Sequence, residues 1–447
     1  MDRLFGTDGI RGKANHHPMD AATALKVGRA VARHFQPDSG KSHLVIGQDT
    51  RLSGDMLTHA VAAGVCSAGM DVTLLGIIPT PGVAYMTGVT KAAAGVVISA
   101  SHNPYTDNGI KVFNSRGYKL SDAEEQHIEA LIAEGQSASG VTSNGIGRQR
   151  PAENVTVEYM RFLEQAVPAL SLQGMTIAVD CANGATYKVA PMLLERLGAT
   201  VIQMACVPDG ININADCGSQ HPGHLSRAVV DRNADLGLAF DGDGDRLIAV
   251  DENGSILTGD QIMVICADHL SSLGKLKNNK VITTVMSNMG FHLALENLGI
   301  EAAVTSVGDR YVIEKMISED AILGGEDSGH MIFRDVHTTG DGMMAALRLL
   351  EAMQRAGKPL SDLSKLMTVF PQRLINIDVR RKPDLHSVPE IQAVIRKAER
   401  ALGTRGRVLV RYSGTQSTCR VMVEAQTQHE AESYCREIAE VIQLAIG

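Results

Sequence analysis

Residues 236–246 read Leu-Gly-Leu-Ala-Phe-Asp-Gly-Asp-Gly-Asp-Arg: an apolar run that stops abruptly in three aspartates spaced by glycines. A short apolar run without alternation is the pattern of a strand buried on both faces, and such strands belong to sheets covered by helices. The same grammar occurs twice more. Residues 95–98 (Gly-Val-Val-Ile) run into Ser99-Ala-Ser-His-Asn-Pro104, and residues 321–323 (Ala-Ile-Leu) run towards Gly325-Glu-Asp-Ser-Gly-His330.

Working outward, each stretch is preceded by a strand, a helical segment and a second strand. Strand patterns lie at 44–47 and 72–75, at 176–179 and 200–204, and at 281–285 and 302–305; helical segments between them end near Gly69 or, in the third round, cover 291–298. Leu25, Gly28, Ala32 and Phe35 follow helical spacing and predict an amphipathic first helix. The end of the chain differs, with a strand at 373–379, a helix at 388–402, strands at 408–410 and 420–424, and a closing helix from Gln428. The expected fold is α/β: three similar βαβαβ-type domains with mixed sheets, and a small α+β domain, around one central cleft. Expected limits are 1–152, 153–253, 254–369 and 370–447, with linkers at 135–153 and 368–372.

Composition agrees with several ordinary cores. A chain of 447 residues exceeds what one core supports, and 44% apolar with 21% charged residues is usual for a globular protein. The formal charge of −8 argues against a nucleic-acid or anionic-membrane surface. Seven scattered cysteines lack metal-ligand spacing and read as reduced thiols. The start, Met-Asp-Arg-Leu-Phe-Gly, has no apolar core, and no apolar run approaches the ~18 residues of a membrane span, so a cytoplasmic protein is expected.

Asp241, Asp243 and Asp245 are three carboxylates within five residues, a group that repels itself unless a cation intervenes. With Glu252 twelfth in line they mimic a calcium loop, but Arg246 stands where that loop needs glycine, and strand patterns replace its helices. A cation shared with a phosphate, Mg²⁺, suits the spacing better; a solvated acidic turn is the bland alternative. Ser101 follows a buried strand, where its hydroxyl is presented at the sheet end; a turn-capping serine would look the same. A Ser-His hydrolase is disfavoured, because successive residues of an extended strand face opposite ways and His102 would point away from Ser101. Arg411-Tyr-Ser-Gly-Thr415 with Arg420 offers two guanidiniums and a glycine-opened backbone for a phosphate, or a plain hairpin turn. Glu326, Ser328 and His330 have the chemistry to bind sugar hydroxyls.

Taken together these stretches resemble the α-D-phosphohexomutase superfamily. The matching segments are Phe5-Gly-Thr-Asp-Gly-Ile-Arg-Gly12, Ser99–Pro104, Asp107-Asn-Gly-Ile-Lys111, Cys217-Gly-Ser-Gln-His-Pro222, Asp241–Arg246, Val307-Gly-Asp-Arg-Tyr-Val312, Gly325–His330 and Arg411–Thr415, in family order. The resemblance implies an isomerase in which Ser101 carries the phosphoryl group. Asp241, Asp243, Asp245 and an oxygen of phosphorylated Ser101 would hold Mg²⁺. Arg11, Lys111 and His330 would act at the reacting centre. Arg246, Asp309, Arg310, Glu326 and Ser328 would bind the sugar phosphate, and Arg411, Ser413, Gly414, Thr415 and Arg420 its distal phosphate.

The first and sixth segments are similar to the glucosamine type, which implies conversion between glucosamine 6- and 1-phosphate, feeding amino-sugar and cell-wall precursors. Glucosamine 1,6-bisphosphate or glucose 1,6-bisphosphate would be the activator. Glucose or mannose phosphate specificity on the same machinery is the nearest alternative, and a metal-dependent phosphatase or a non-catalytic sensor are more distant ones. Partners are the small sugar phosphate and no nucleic acid or membrane, with room for a homodimer. Lys111 or His330 would accept the hydroxyl proton once burial or cationic neighbours lower its pKa. Tyr412, Gln416 and Ser417 replace the usual Pro, Glu and Pro of the phosphate loop.

Overall fold

The computed structural model describes residues 3–6, 8–36, 42–134, 141–412 and 417–447. Two compact units are present: Met1–Met286 with Ile300–Leu366, and Ser287–Gly299 with Met367–Gly447.

The first unit holds three sheets that share one plan. In the first, strands His43–Gln48 and Asp71–Ile77 pair in parallel, and Ala94–Ile98 lies parallel on the other side of His43–Gln48. Asp107–Asn114 then returns antiparallel against Ala94–Ile98. The second sheet repeats this with Thr176–Asp180, Thr200–Met204, Leu236–Phe240 and the antiparallel Leu247–Asp251. The third repeats it with Lys280–Thr284, Glu301–Thr305, Leu323–Gly325 and the antiparallel Met331–Phe333. In each case the last parallel strand and its return strand form a hairpin, and the hairpin tips carry Ser101, the three aspartates, and Glu326 to His330. The mixed sheets are therefore a consequence of how the functional loops are mounted.

The strands at the centres of these sheets are apolar on both faces: Ala94–Ile98 and Leu236–Phe240 are buried throughout. Against the first sheet pack the helices Ala21–Phe35 and Gly54–Ser67, which meet closely because a Cβ on Gly28 would stand 2.1 Å from the Val61 carbonyl oxygen. The buried face of the first helix is Thr23, Ala24, Val27, Gly28, Ala30, Val31 and Ala32, with Leu25 and Phe35 partly buried.

The second unit has a three-stranded antiparallel sheet, Gln372–Asp378, Thr418–Glu424 and Arg407–Tyr412 in that spatial order, covered by helices Pro389–Leu402 and Gln428–Ile446. The helix Met289–Asn297, which the repeat pattern assigns to the third sheet, belongs to this unit instead. Its turn is tied there: Glu424 accepts from the Met289 N–H at 2.8 Å, and Asn288 Nδ2 donates to the Phe370 carbonyl at 3.0 Å.

One strand begins later than its pattern predicts. The run 321–323 yields the strand Leu323–Gly325, because Gly325 still pairs with Met331, and the loop proper starts at Glu326. The calcium-loop alternative fails on geometry: 241–246 joins two antiparallel strands, and Glu252 accepts hydrogen bonds from Ser361.

Candidate active site

Ser101 sits three residues beyond its strand with φ +53°, in the left-handed region. It is 1% exposed, and its Oγ donates to Asp241 Oδ2 at 2.7 Å. The left-handed turn also overturns the expectation that His102 faces away, since the chain is not extended there and His102 Nδ1 stands 3.2 Å from Ser101 Oγ. Burial, with Arg246 and Arg11 nearby, pushes the His102 imidazole down to about 4, so it is neutral at pH 7.

The three aspartates are fully buried, and each offers an oxygen within 4.8 Å of the others. Asp243 Oδ2 accepts from Thr80 Oγ1 at 2.6 Å and from Lys111 Nζ at 2.8 Å. Asp243 Oδ1 and Asp245 Oδ1 are buried without a hydrogen-bond partner. Burial and the neighbouring Asp245 and Asp243 raise the Asp241 carboxyl well above the usual range. Burial also opposes charge on Asp243 and Asp245, yet Lys111 holds the first below its ordinary value and His330 with Lys111 the second. Two orphaned carboxylate oxygens, on Asp243 and Asp245, beside a third buried carboxylate at Asp241, are the donor set of a hard divalent cation, and the residues fit Mg²⁺.

Behind the triplet lies a chain of alternating charge. Lys111 Nζ is 2.8 Å from Asp243 and 3.0 Å from Asp8; Asp8 also pairs with Arg11 and Lys119, and Lys119 pairs with Asp309. His330 closes the chain, with Nδ1 3.6 Å from Asp245 and Nε2 3.8 Å from Asp309. Lowered pKa values were expected at Lys111 or His330, and both move the other way. Burial alone would lower them, but Asp243, Asp8 and Asp245 hold Lys111 above its ordinary value, and Asp245 and Asp309 do the same for His330.

The remaining expected residues divide. Arg11 Nη1 approaches the Ala100 carbonyl at 3.4 Å, and the Arg246 N–H donates to Asp241 Oδ1 at 3.2 Å. Arg246 and His330 form a β-bridge that joins the second and third loops. Glu326 Oε1 accepts from the Gly308 N–H at 3.0 Å, and Ser328 Oγ is buried without a partner. Arg310 stands on the helix Asp309–Ser318, and its guanidinium pairs with Asp122 and Glu125 of the helix Asp122–Ala133.

In the second unit, Arg411 and Arg420 stand directly opposite on antiparallel strands, and burial together with Arg420 lowers the Arg411 pKa. Like charges directly opposite across a ladder repel. Ser413, Gly414 and Thr415, together with Gln416, lie outside the described residues.

Asp8, Thr80, Lys119 and, beneath the Ser101 loop, Arg51 and Asn214 were not singled out from sequence. Asp8 lies inside the Phe5–Gly12 segment and Arg51 in a loop after a strand, but neither carries a local signal of its role. Thr80 starts a helix and Asn214 belongs to a turn-rich stretch.

Comparison with known proteins agrees with this geometry. Residues 2–139, 157–254, 258–370 and 374–441 match phosphoglucomutase/phosphomannomutase alpha/beta/alpha domains I, II and III and the C-terminal domain, in that order. The chain belongs to the phosphoglucomutase/phosphomannomutase family of the α-D-phosphohexomutase superfamily. It is 51% identical over 449 residues to the phosphoglucosamine mutase of Syntrophus aciditrophicus, covering all of both chains. With the phosphoglucosamine mutase of Chlamydia trachomatis serovar L2 it shares 45% identity, over 100% of this chain and 98% of that one. Among solved structures, a phosphoglucomutase/phosphomannomutase family protein of Burkholderia thailandensis superposes with TM-score 0.81 at 24% identity, covering 99% of this chain and 97% of that one. The N-acetylphosphoglucosamine mutase of Aspergillus fumigatus, in complex with GlcNAc-6P and magnesium, has the same fold at TM-score 0.66 and 17% identity, covering 99% and 96%.

Proposed function

We propose that this protein is a phosphoglucosamine mutase, interconverting glucosamine 6-phosphate and glucosamine 1-phosphate through phosphorylated Ser101. The observation that carries the reading is the hydrogen bond from Ser101 Oγ to Asp241 within a triplet of buried aspartates. The substrate follows from relatives 45–51% identical over the full chain that are named for this activity.

Mg²⁺, held by Asp241, Asp243, Asp245 and a phosphoserine oxygen, would supply positive charge to the oxygens of the transferring group. Every other task falls to the chain. In the first half-reaction the bond between Ser101 Oγ and phosphorus breaks, and the sugar's free hydroxyl oxygen bonds to phosphorus, giving glucosamine 1,6-bisphosphate. In the second, the opposite phosphate returns to Ser101. Glucosamine 1,6-bisphosphate or glucose 1,6-bisphosphate would prime the enzyme.

The hydroxyl proton goes to His330. Its Nε2 has no hydrogen-bond partner, and two carboxylates within 4 Å raise its proton affinity. Lys111 is too firmly paired for that role and serves as a fixed cation, with Arg11 and Arg246. Glu326, Ser328 and Asp309 bind the sugar; Arg411 and Arg420, with Ser413, Gly414 and Thr415, take the distal phosphate. Arg310, committed to Asp122 and Glu125, keeps only an indirect part in substrate binding.

The test is intact mass after exposure to glucose 1,6-bisphosphate, paired with a glucosamine 1-phosphate assay. The parent protein should gain one phosphoryl group and Ser101→Ala should gain none and lose activity. Full activity in Ser101→Ala would end the proposal.

A further inference from the structure

Two side chains collect the backbone carbonyls of the loop that carries Ser101. Arg51 is almost wholly buried. Its Nη2 donates to the carbonyls of Ser101 at 2.9 Å and Asn103 at 2.8 Å, its Nη1 to those of Pro104 and Asp107, and its Nε to Asp49 Oδ2 at 2.9 Å. A guanidinium has five N–H donors, and here there is an acceptor for each. From the second domain, Asn214 Nδ2 donates to the same two carbonyls, Ser101 at 2.9 Å and Asn103 at 3.0 Å. Each of those oxygens thus receives one donor from either side.

The arrangement extends to the reacting residue. Asp49 Oδ2 also accepts from Ser99 Oγ, and Ser99 Oγ accepts from the Ser101 N–H at 3.0 Å. Left-handed backbone at a serine persists only where surrounding contacts enforce it. The contacts present are these.

We propose that Arg51 and Asn214 are positioning residues for phosphoryl transfer, a two-sided clamp that holds the Ser101 loop in its left-handed turn and so keeps Oγ aimed at the aspartate triplet. The inference rests on Ser101 being the phosphate carrier. Neither residue meets the substrate. Their effect is on the angle and distance of transfer, to which an in-line displacement is acutely sensitive.

Arg51→Lys keeps the charge but loses the planar fork, and a lysine cannot reach four carbonyls and Asp49 together. Steady-state kinetics with glucosamine 6-phosphate should show kcat lowered on the order of 10²-fold while KM moves by less than about threefold. Hydrogen exchange should speed at the amides of residues 99–107 and stay unchanged in the other two site loops. Asn214→Ala retains the guanidinium and serves where Arg51→Lys does not fold; it should lower kcat about tenfold with the same exchange signature. Ser101→Ala is measured alongside. If it is inactive while both clamp variants keep parental kcat and exchange, the clamp is refuted and the phosphoserine reading stands. If it is fully active, the phosphoserine reading falls and the clamp's catalytic purpose with it, whatever the exchange shows.

Discussion

Gly242 separates two of the aspartates, and replacing it by alanine would test whether the second loop must approach the first as closely as the structure places it. A Cβ at residue 242 would lie 2.6 Å from the Ser101 carbonyl oxygen, 2.7 Å from Asn214 Nδ2 and 2.8 Å from Ile213 Cδ1. Ordinary contact begins at 3.4 Å, so relief requires a separation of 3.4 − 2.6 = 0.8 Å. The second loop has nowhere to retreat: its Gly242 carbonyl accepts from the Ala185 N–H at 2.8 Å, and a Cβ at Gly184 would itself be 2.3 Å from that oxygen. The strain therefore falls on the spacing between Ser101 and the triplet. Overpacking of this kind costs about 1–3 kcal/mol in stability. A displacement near 1 Å at a reacting centre costs about 10²-fold in rate. The assay is kcat for glucosamine 1-phosphate formation together with the Mg²⁺ concentration giving half-maximal rate; the first should fall and the second rise. Gly88→Ala, in the helix Thr80–Val89 with nothing within 4 Å of its Cβ, is the control and should leave both unchanged. Parental kcat and Mg²⁺ response in Gly242→Ala would show that the close approach is not needed.

Chelation should abolish activity and added Mg²⁺ restore it, while Asp243→Asn, which weakens the donor set, should raise the half-saturating Mg²⁺ concentration about tenfold or more; an unaltered Mg²⁺ curve would remove Asp243 from the metal site. His330→Gln should lower kcat by about 10²–10⁴-fold and flatten the acid limb of the pH–rate profile, and an unchanged profile would exclude His330 as proton acceptor. Asp341, buried and bonded to the Tyr159 hydroxyl at 2.8 Å, has its carboxyl pushed up to about 6 by burial. Because the folded value lies above the unfolded one, its contribution to stability is full below about pH 4 and is lost as pH rises through about 6, some 3 kcal/mol in all. The melting temperature of Asp341→Asn relative to the parent should accordingly improve between pH 4 and 7, and a pH-independent difference would count against the assignment.

Much of the site was legible because its parts sit in hairpin tips, where a buried apolar strand gives way abruptly to polar residues. Leu236–Phe240 and Thr200–Met204 fall where the pattern puts them, and the aspartates, Ser101 and His330 could be singled out beside them. What could not be read is whatever depends on pairing between segments far apart in the chain. Thr80 opens a helix and meets Asp243 across 163 positions; Lys119 joins Asp8 to Asp309. Nothing local in either residue encodes that partner. The error at His102 is of another kind. Strand alternation does not carry over to Ser101 and His102, three and four residues past the strand's end, because a positive φ at Ser101 reverses it. The Arg310 pairings with Asp122 and Glu125 span 188 and 185 positions and have no local signal either.

The common hairpin plan explains why three domains rather than one build the reacting centre. A single loop bearing three aspartates cannot neutralise itself, and burial makes the repulsion worse. Each sheet mounts one loop at the same place, so the first domain can answer the second domain's negative charge with Lys111 and Arg11, and the third brings the His330 imidazole beside Asp245. Asp8, paired with Lys111, Arg11 and Lys119, and Asp309, paired with Lys119, then keep those cations from gathering unopposed. The result is a set of charges fixed before substrate arrives, which is the form of stabilisation phosphoryl transfer most requires. Its cost is that every member is buried and coupled. Neutralising Lys119, which is remote from Ser101 in sequence and bonded to neither Ser101 nor the triplet, should therefore lower kcat by loosening both Asp8 and Asp309. Lys119→Met is the variant to measure; parental kcat in it would mean that the three domains contribute their charges independently.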